Sequence, residues 1–325
     1  MSGEPLRTAV IGCGHFGRYH AEKYARLRAS RLVAVVDRDP ERAAEIAAKH
    51  RVEALSDFRA LFGAVDAVSI VVPTGAHHAV ARACLEHGIH VLIEKPITET
   101  IAQANDLIGL AAERRLVLQV GHLQRFFLER LSLGDWIGEP LYIESTRIAP
   151  FKQRGTDVGV TLDLMIHDID LILAMVKAPV TMVDAVGAPV VSAEEDIANT
   201  RLRFANGCVA NITASRVSLK TERKMRIFGR DAYVSIDLHN RKLVAMRRGK
   251  GKSWFPGLPP IDREERSFTQ GDDLADEIES FLDVVRRGAP PLVTGEDGRR
   301  ALETAMQITE SLRASLALIA KAGRV

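Results

Sequence analysis

Cysteine is scarce in this chain of 325 residues: Cys13, Cys84 and Cys208 are too few for a disulfide framework. Long apolar runs are missing as well, since no window approaches the roughly 18 uncharged apolar residues needed to span a bilayer. Nor does either sign of charge dominate. Lys and Arg number 44 and Asp and Glu 42, a formal net charge of +2, which argues against a protein whose main partner is a polyanion such as DNA. A local basic run (Arg241, Lys242, Arg247, Arg248, Lys250, Lys252) is followed by an acidic tract (Asp262, Glu264, Glu265, Asp272, Asp273, Asp276), so no nucleic-acid partner is expected. The start, MSGEPLR, runs straight into TAVIG without an apolar stretch behind positive charge. The expectation is a cytoplasmic protein with no signal peptide and no membrane partner.

What the chain does have is 46% apolar and 26% charged residues, enough to bury sizeable cores, and a length that suits two domains. Its first third alternates apolar runs with helical patterns. Strands are predicted over Leu6–Ile11, Arg31–Val36, Val65–Val72, Ile89–Glu94 and Leu116–Val120. Helices are predicted over His15–Ala29, Pro40–His50, His77–Gly88 and Thr98–Arg115, with Asp39 as an N-cap and Pro40 at the first helical position. Alternation at this spacing means βαβ units and a doubly wound parallel sheet. After about residue 121 the pattern changes. Asn206-Gly207 signals a hairpin with a two-residue primed turn, and strands follow near Lys224–Phe228, Ala232–Asp237 and Lys242–Arg247. Two closing helices are predicted over Gly271–Arg287 and Gly295–Ala320. The fold class expected is therefore α/β: a Rossmann domain over residues 1–121, then an α+β domain with a mostly antiparallel sheet over 122–325.

Gly12-Cys13-Gly14-His15-Phe16-Gly17 matches G-x-G-x-x-G between a predicted strand and a predicted helix. The first glycine permits the tight turn, the second lets the backbone approach a pyrophosphate, and the third lets helix and strand pack closely. Asp37 closes the second strand, 20 residues after Gly17, where an acid would bind the adenosine ribose. A carboxylate there favours NAD; Arg38 beside it is the residue type that accommodates the NADP phosphate, so NADP stays as the alternative. Cys13 reads as a small filler.

Glu94-Lys95-Pro96 ends a predicted parallel strand, at the edge where open α/β sheets bind ligands. Lys95 is thus a candidate to bind a substrate hydroxyl or move its proton, the bland alternative being a surface lysine. Further on, Asp163, His167 and Asp170 share one face if their segment is helical. A carboxylate beside an imidazole fixes its tautomer and raises its basicity, as proton removal during alcohol oxidation requires. Zinc is the competing reading for an Asp/His pair, but no third ligand stands at a recognisable spacing, so no metal is expected.

The GCGHFG loop, the EKP tripeptide and the DLMIHDID helix together resemble the Gfo/Idh/MocA family of sugar oxidoreductases, in the expected order across the whole chain. The resemblance implies a Rossmann domain, a C-terminal domain whose open sheet face makes a homodimer or homotetramer, and a catalytic group of Lys95, Asp163 and His167. It leaves open whether Lys95 or His167 is the base. Met165 and Ile166 replace the small residues usual before the histidine, which argues against the inositol- and glucose-type members. LDLMIHDID, VGHLQRF and TASRVS resemble a narrower branch instead. That branch oxidises the 3-hydroxyl of UDP-N-acetylglucosamine, and a separate aminotransferase then makes the 3-amino sugar for lipid A. A nucleotide diphosphate wants cationic donors, and Arg125, Arg147, Lys152 and Arg154 are the candidates, each otherwise a solvated charge. Phe151 is a candidate to stack on a ring, and His122 to approach the nicotinamide ribose or substrate. Pro73, Thr74 and His77 are expected at the cofactor edge with Glu94. The alternatives are the same fold acting on another sugar, an inositol or a tetrapyrrole, and a non-catalytic NAD-sensing regulator.

Overall fold

The computed structural model describes residues 4–152, 158–249, 256–257, 259–268 and 271–321. In chain order its elements are β1 (Leu6–Ile11), α1 (Gly17–Arg26), β2 (Ser30–Val36), α2 (Pro40–His50), β3 (Glu53–Leu55), β4 (Ala67–Ile70), α3 (Thr74–Glu86), β5 (His90–Glu94), α4 (Ile101–Arg114), β6 (Leu118–Gly121) and α5 (Gln124–Arg130). There follow β7 (Tyr142–Ile148), a π-helical turn (Thr161–Met165) running into α6 (Ile166–Met175), β8 (Val180–Ala188), β9 (Ile197–Phe204) and β10 (Val209–Ser215). The last are β11 (Glu222–Phe228), β12 (Ala232–Asp237), β13 (Lys242–Arg248), β14 (Ile261–Ser267), α7 (Asp273–Arg287) and α8 (Gly295–Lys321). No helix among the described residues is long and apolar enough to cross a membrane.

Two compact units emerge, residues 1–127 with 272–302 and residues 128–271 with 303–325. The chain returns to its first unit near the end, with α7 and the first residues of α8. The reason is α7. Ile278, Phe281 and Leu282 lie on one helical face and are fully buried in a core with Val10, Tyr24, Val35 and Leu92. Each such side chain contributes roughly 1.5–3 kcal/mol of transfer free energy.

In the first unit six strands pair in parallel in the order β3-β2-β1-β4-β5-β6. The order reverses between β1 and β4, so the loops leaving these strands diverge and open a crevice. Local chemistry sets the helix ends as the residue types demand. Asp39 accepts the N–H groups of Glu41 and Arg42 at the start of α2, and Thr100 and Gln103 form a reciprocal capping box on α4.

The second unit holds an eight-stranded sheet in the order β14-β13-β12-β11-β7-β10-β9-β8, antiparallel except for β7 beside β10. Strict alternation in β9, where Ala198, Thr200, Leu202 and Phe204 are buried and their neighbours exposed, gives the sheet one covered and one open face. On the open face Tyr142 donates to Glu144 (2.9 Å) and accepts from Asn211 (2.9 Å), and Arg226 pairs with Glu144. The expected hairpin forms between β9 and β10, but not with a two-residue primed turn. Phe204 and Cys208 close a three-residue loop in which Gly207 takes positive φ (+88°) and Asn206 does not. The acidic tract after the basic run pairs with it across a hairpin, Arg247 standing opposite Asp262.

Candidate functional site

In the first unit the expected cofactor residues gather at the carboxyl ends of adjacent strands. Gly12 leaves β1 with φ +104°, and a Cβ there would stand 2.5 Å from the Val71 carbonyl oxygen. A Cβ on Gly17 would collide with the Gly12 carbonyl. Both positions therefore demand glycine. Gly14 differs: a Cβ there would meet nothing within 4 Å, which leaves the loop's backbone approachable by a ligand. Asp37, after β2, accepts the N–H of Cys13 at 2.6 Å and that of Asp39 at 2.9 Å, so its carboxylate is held against the glycine loop. Burial, then the charge of Asp37, push the Cys13 thiol up to about 12, which leaves it a packed thiol at neutral pH. His15, Phe16 and Arg38 are exposed around the loop. These residues fit a dinucleotide: a backbone cradle with open space before it, a helix N-terminus behind it, and an acid on the neighbouring strand.

Pro73 and Thr74 start α3, three residues earlier than the sequence pattern suggests. His77 is 1% exposed, and its ring lies 2.9 Å from both the Val72 and the Pro96 carbonyl oxygens, between the loop after β4 and the loop after β5. Burial outweighs those contacts and holds its imidazole below the ordinary range. Lys95 follows β5, its peptide to Pro96 is cis, and its N–H donates to the carboxylate of Glu94 (3.3 Å). Burial drives the Glu94 carboxyl upward, but the hydrogen bond and charge of His20 and the charge of Lys95 hold it below the usual carboxylate range. His122 is 1% exposed beyond β6. Arg125, 9% exposed, stands 3.4 Å from Asp297.

In the second unit Asp163 lies in the π-helical turn and His167 in the first turn of α6, both partly exposed, while Asp168 and Asp170 are 1% and 2% exposed. The segment is thus helical but wider at its start than the α-helix the spacing assumes, and Asp170 is turned inward. Arg147, on β7, is also buried. Its Nε donates to Asp168 at 2.6 Å and its Nη2 at 3.0 Å, a two-pronged pair that fixes α6 to the sheet. The segment entering the π turn is held by Arg216, which donates to the Val158 carbonyl (2.7 Å) while pairing with Asp196 (2.7 Å). Phe151 and Lys152 are exposed after β7, and Arg154 lies outside the described residues. No cluster of three or more His, Cys, Asp or Glu side chains able to hold a metal occurs among the described residues. Sequence reading does not single out His20, Arg216 or Asp196. His20 stands three residues after Gly17 and Arg216 lies within TASRVS, both usable signals; Asp196 carries none.

A parallel sheet of this order, with a glycine loop at its switch point and an acid after β2, defines an NAD-binding dinucleotide domain. Residues 6–122 match the model of the oxidoreductase family with an NAD-binding Rossmann fold, and residues 133–316 match that of the family's C-terminal alpha/beta domain. The chain belongs to the Gfo/Idh/MocA family of oxidoreductases. It is 44% identical, over 96% of its own length and 98% of the relative's, to UDP-N-acetylglucosamine 3-dehydrogenase of Acidithiobacillus ferrooxidans. A solved structure of that enzyme superposes with a TM-score of 0.87 over 95% of this chain and 98% of the other. The scyllo-inositol 2-dehydrogenase (NAD(+)) of Bacillus subtilis is 28% identical over 95% of this chain and 94% of its own.

Proposed function

We propose that this oxidoreductase oxidises the 3-hydroxyl of UDP-N-acetylglucosamine to a ketone with NAD. The observation that carries the reading is the 44% identity, end to end, with an enzyme of that name. NAD, when bound at the glycine loop, supplies the hydride acceptor. The chain's own residues handle the proton: one of Lys95 and His167 takes it from the alcohol while the other holds the hydroxyl, and Asp163 orients His167 through its imidazole. Asp37 takes the adenosine ribose, with Arg38 exposed beside it. Lys152 and Phe151, both exposed, are assigned to the nucleotide half of the substrate. A 3-keto sugar is a substrate for transamination, so an aminotransferase leading to a 3-amino sugar of lipid A is the expected next step, in the cytoplasm.

One observation favours a second reading, a free sugar or cyclitol as substrate. Arg147 and Arg125 are two of the four expected diphosphate contacts, yet both stand on carboxylates, Asp168 and Asp297. An arginine fork already on a carboxylate offers fewer donors to a phosphate. NADH formation separates the two, measured with NAD and UDP-N-acetylglucosamine and with glutamate plus a 3-aminotransferase to draw off the ketone. Formation that depends on the nucleotide sugar supports the leading reading. Turnover of myo- or scyllo-inositol in its place overturns it.

A further inference from the structure

Behind the carboxyl end of β5 runs a chain of buried polar groups that the proton chemistry above does not use. Tyr24 and His20 project from α1 and Ser69 from β4, and none is more than 1% exposed. The Tyr24 hydroxyl lies 2.8 Å from Ser69 Oγ, which lies 3.1 Å from His20 Nδ1. His20 Nε2 lies 3.2 Å from Glu94 Oε1, and Glu94 Oε2 accepts the backbone N–H of Lys95 at 3.3 Å. The same carboxyl rests against Gly121, where a Cβ would stand 3.0 Å from Oε1. The acceptor at the end fixes the first donor: an ionised carboxylate only accepts, so His20 Nε2–H donates to Glu94. Ser69 and Tyr24 continue the chain from His20 Nδ1.

The other titratable groups around Glu94 agree with one negative charge at this place. Glu277, on α7, is fully buried, and neither of its carboxyl oxygens has a hydrogen-bond partner among the described residues. Burial, then the charges of Glu94 and Asp273, push it well above the usual carboxylate range, toward its neutral form. His77, on α3, is held toward its neutral form by burial. His20 and Lys95 remain as the groups that favour charge on Glu94.

We propose that His20 is a positioning residue: the Tyr24–Ser69–His20 chain holds Glu94 as the ionised neighbour of Lys95 and thereby sets the charge state of Lys95. The relevance to turnover rests on the role given to Lys95 under the proposed function. The test reads the pH dependence of Lys95 modification by trinitrobenzenesulfonate, followed by peptide mass spectrometry, which needs neither substrate nor NAD. Replacing His20→Leu removes the donor to Glu94, and the midpoint of Lys95 should fall by about one pH unit. His20→Gln restores a donor to Glu94 and should return the midpoint to the wild-type value. Tyr24→Phe, which removes one hydroxyl at the far end, should move the midpoint in the same direction by less and covers the case in which His20→Leu does not fold. An unchanged Lys95 midpoint in folded His20→Leu, or in Tyr24→Phe where His20→Leu does not fold, overturns the proposal. So does a His20→Gln midpoint equal to that of His20→Leu. Undiminished turnover in Lys95→Ala would instead overturn the role of Lys95 in the reaction and leave the midpoint result standing.

Discussion

Asp37 illustrates how much a single side chain decides. Its two oxygens hold the N–H groups of Cys13 and Asp39, so the carboxylate reaches the glycine loop already oriented. A hydrogen bond to a charged group contributes about 1.5–3 kcal/mol, so Asp37→Ala should weaken NAD by about 10- to 100-fold and NADP by less, read as dissociation constants from fluorescence titration. An unchanged preference would remove Asp37 from that role. For Lys95→Ala and His167→Ala, kcat should fall by roughly a hundredfold or more, the scale of a positioned acid or base; wild-type rates in both would overturn the assignment. Glu277 gives a pH effect whose sign is fixed. Its carboxyl titrates higher folded than unfolded, so its contribution is complete below about 4.3 and is lost as pH rises toward the folded midpoint. Glu277→Gln cannot ionise, so its Tm relative to wild type should climb steadily with pH above that value. Parallel Tm curves would contradict a neutral Glu277.

At the scale of elements, the segment carrying Asp163 and His167 is held from two sides within its unit. Arg216 takes the Val158 carbonyl before the π turn, and Arg147 takes Asp168 just after His167. Breaking a buried pair by removing one partner costs about 3–5 kcal/mol, because the other charge stays buried and alone. Asp168→Ala should cost that much in denaturant unfolding, and Arg147→Met added to it should recover a large part. A loss below about 1 kcal/mol would mean the pair is not what anchors α6. Arg223 sits in the same electrostatic setting: burial, then the charge of Arg147, hold its guanidinium below the ordinary range. The glycine loop and the Asp39 cap were readable in the chain because each joins residues close in sequence. The π turn was not, since i, i+4 spacing of Asp163 and His167 suits an α-helix and carries no mark of a wider turn.

For the whole molecule, the open face of the eight-stranded sheet, with Tyr142, Glu144, Asn211 and Arg226 linked across β7, β10 and β11, is the surface proposed for self-association. The mass by light scattering should be two or four times 35.7 kDa. A monomer at micromolar concentration would return that face to solvent. The sequence by itself determined what depends on short-range rules: strand-helix alternation, the phosphate loop and the acid after the second strand. Tertiary structure alone decided what joins distant residues. It brought α7 back to the first unit and set His20 on Glu94, 74 residues away. It also gave Arg147 to Asp168, where the chain alone offered it to a phosphate. The physical reason is common to all three. A buried charge or an apolar helix face must find a partner, and only the folded chain determines which partner is near.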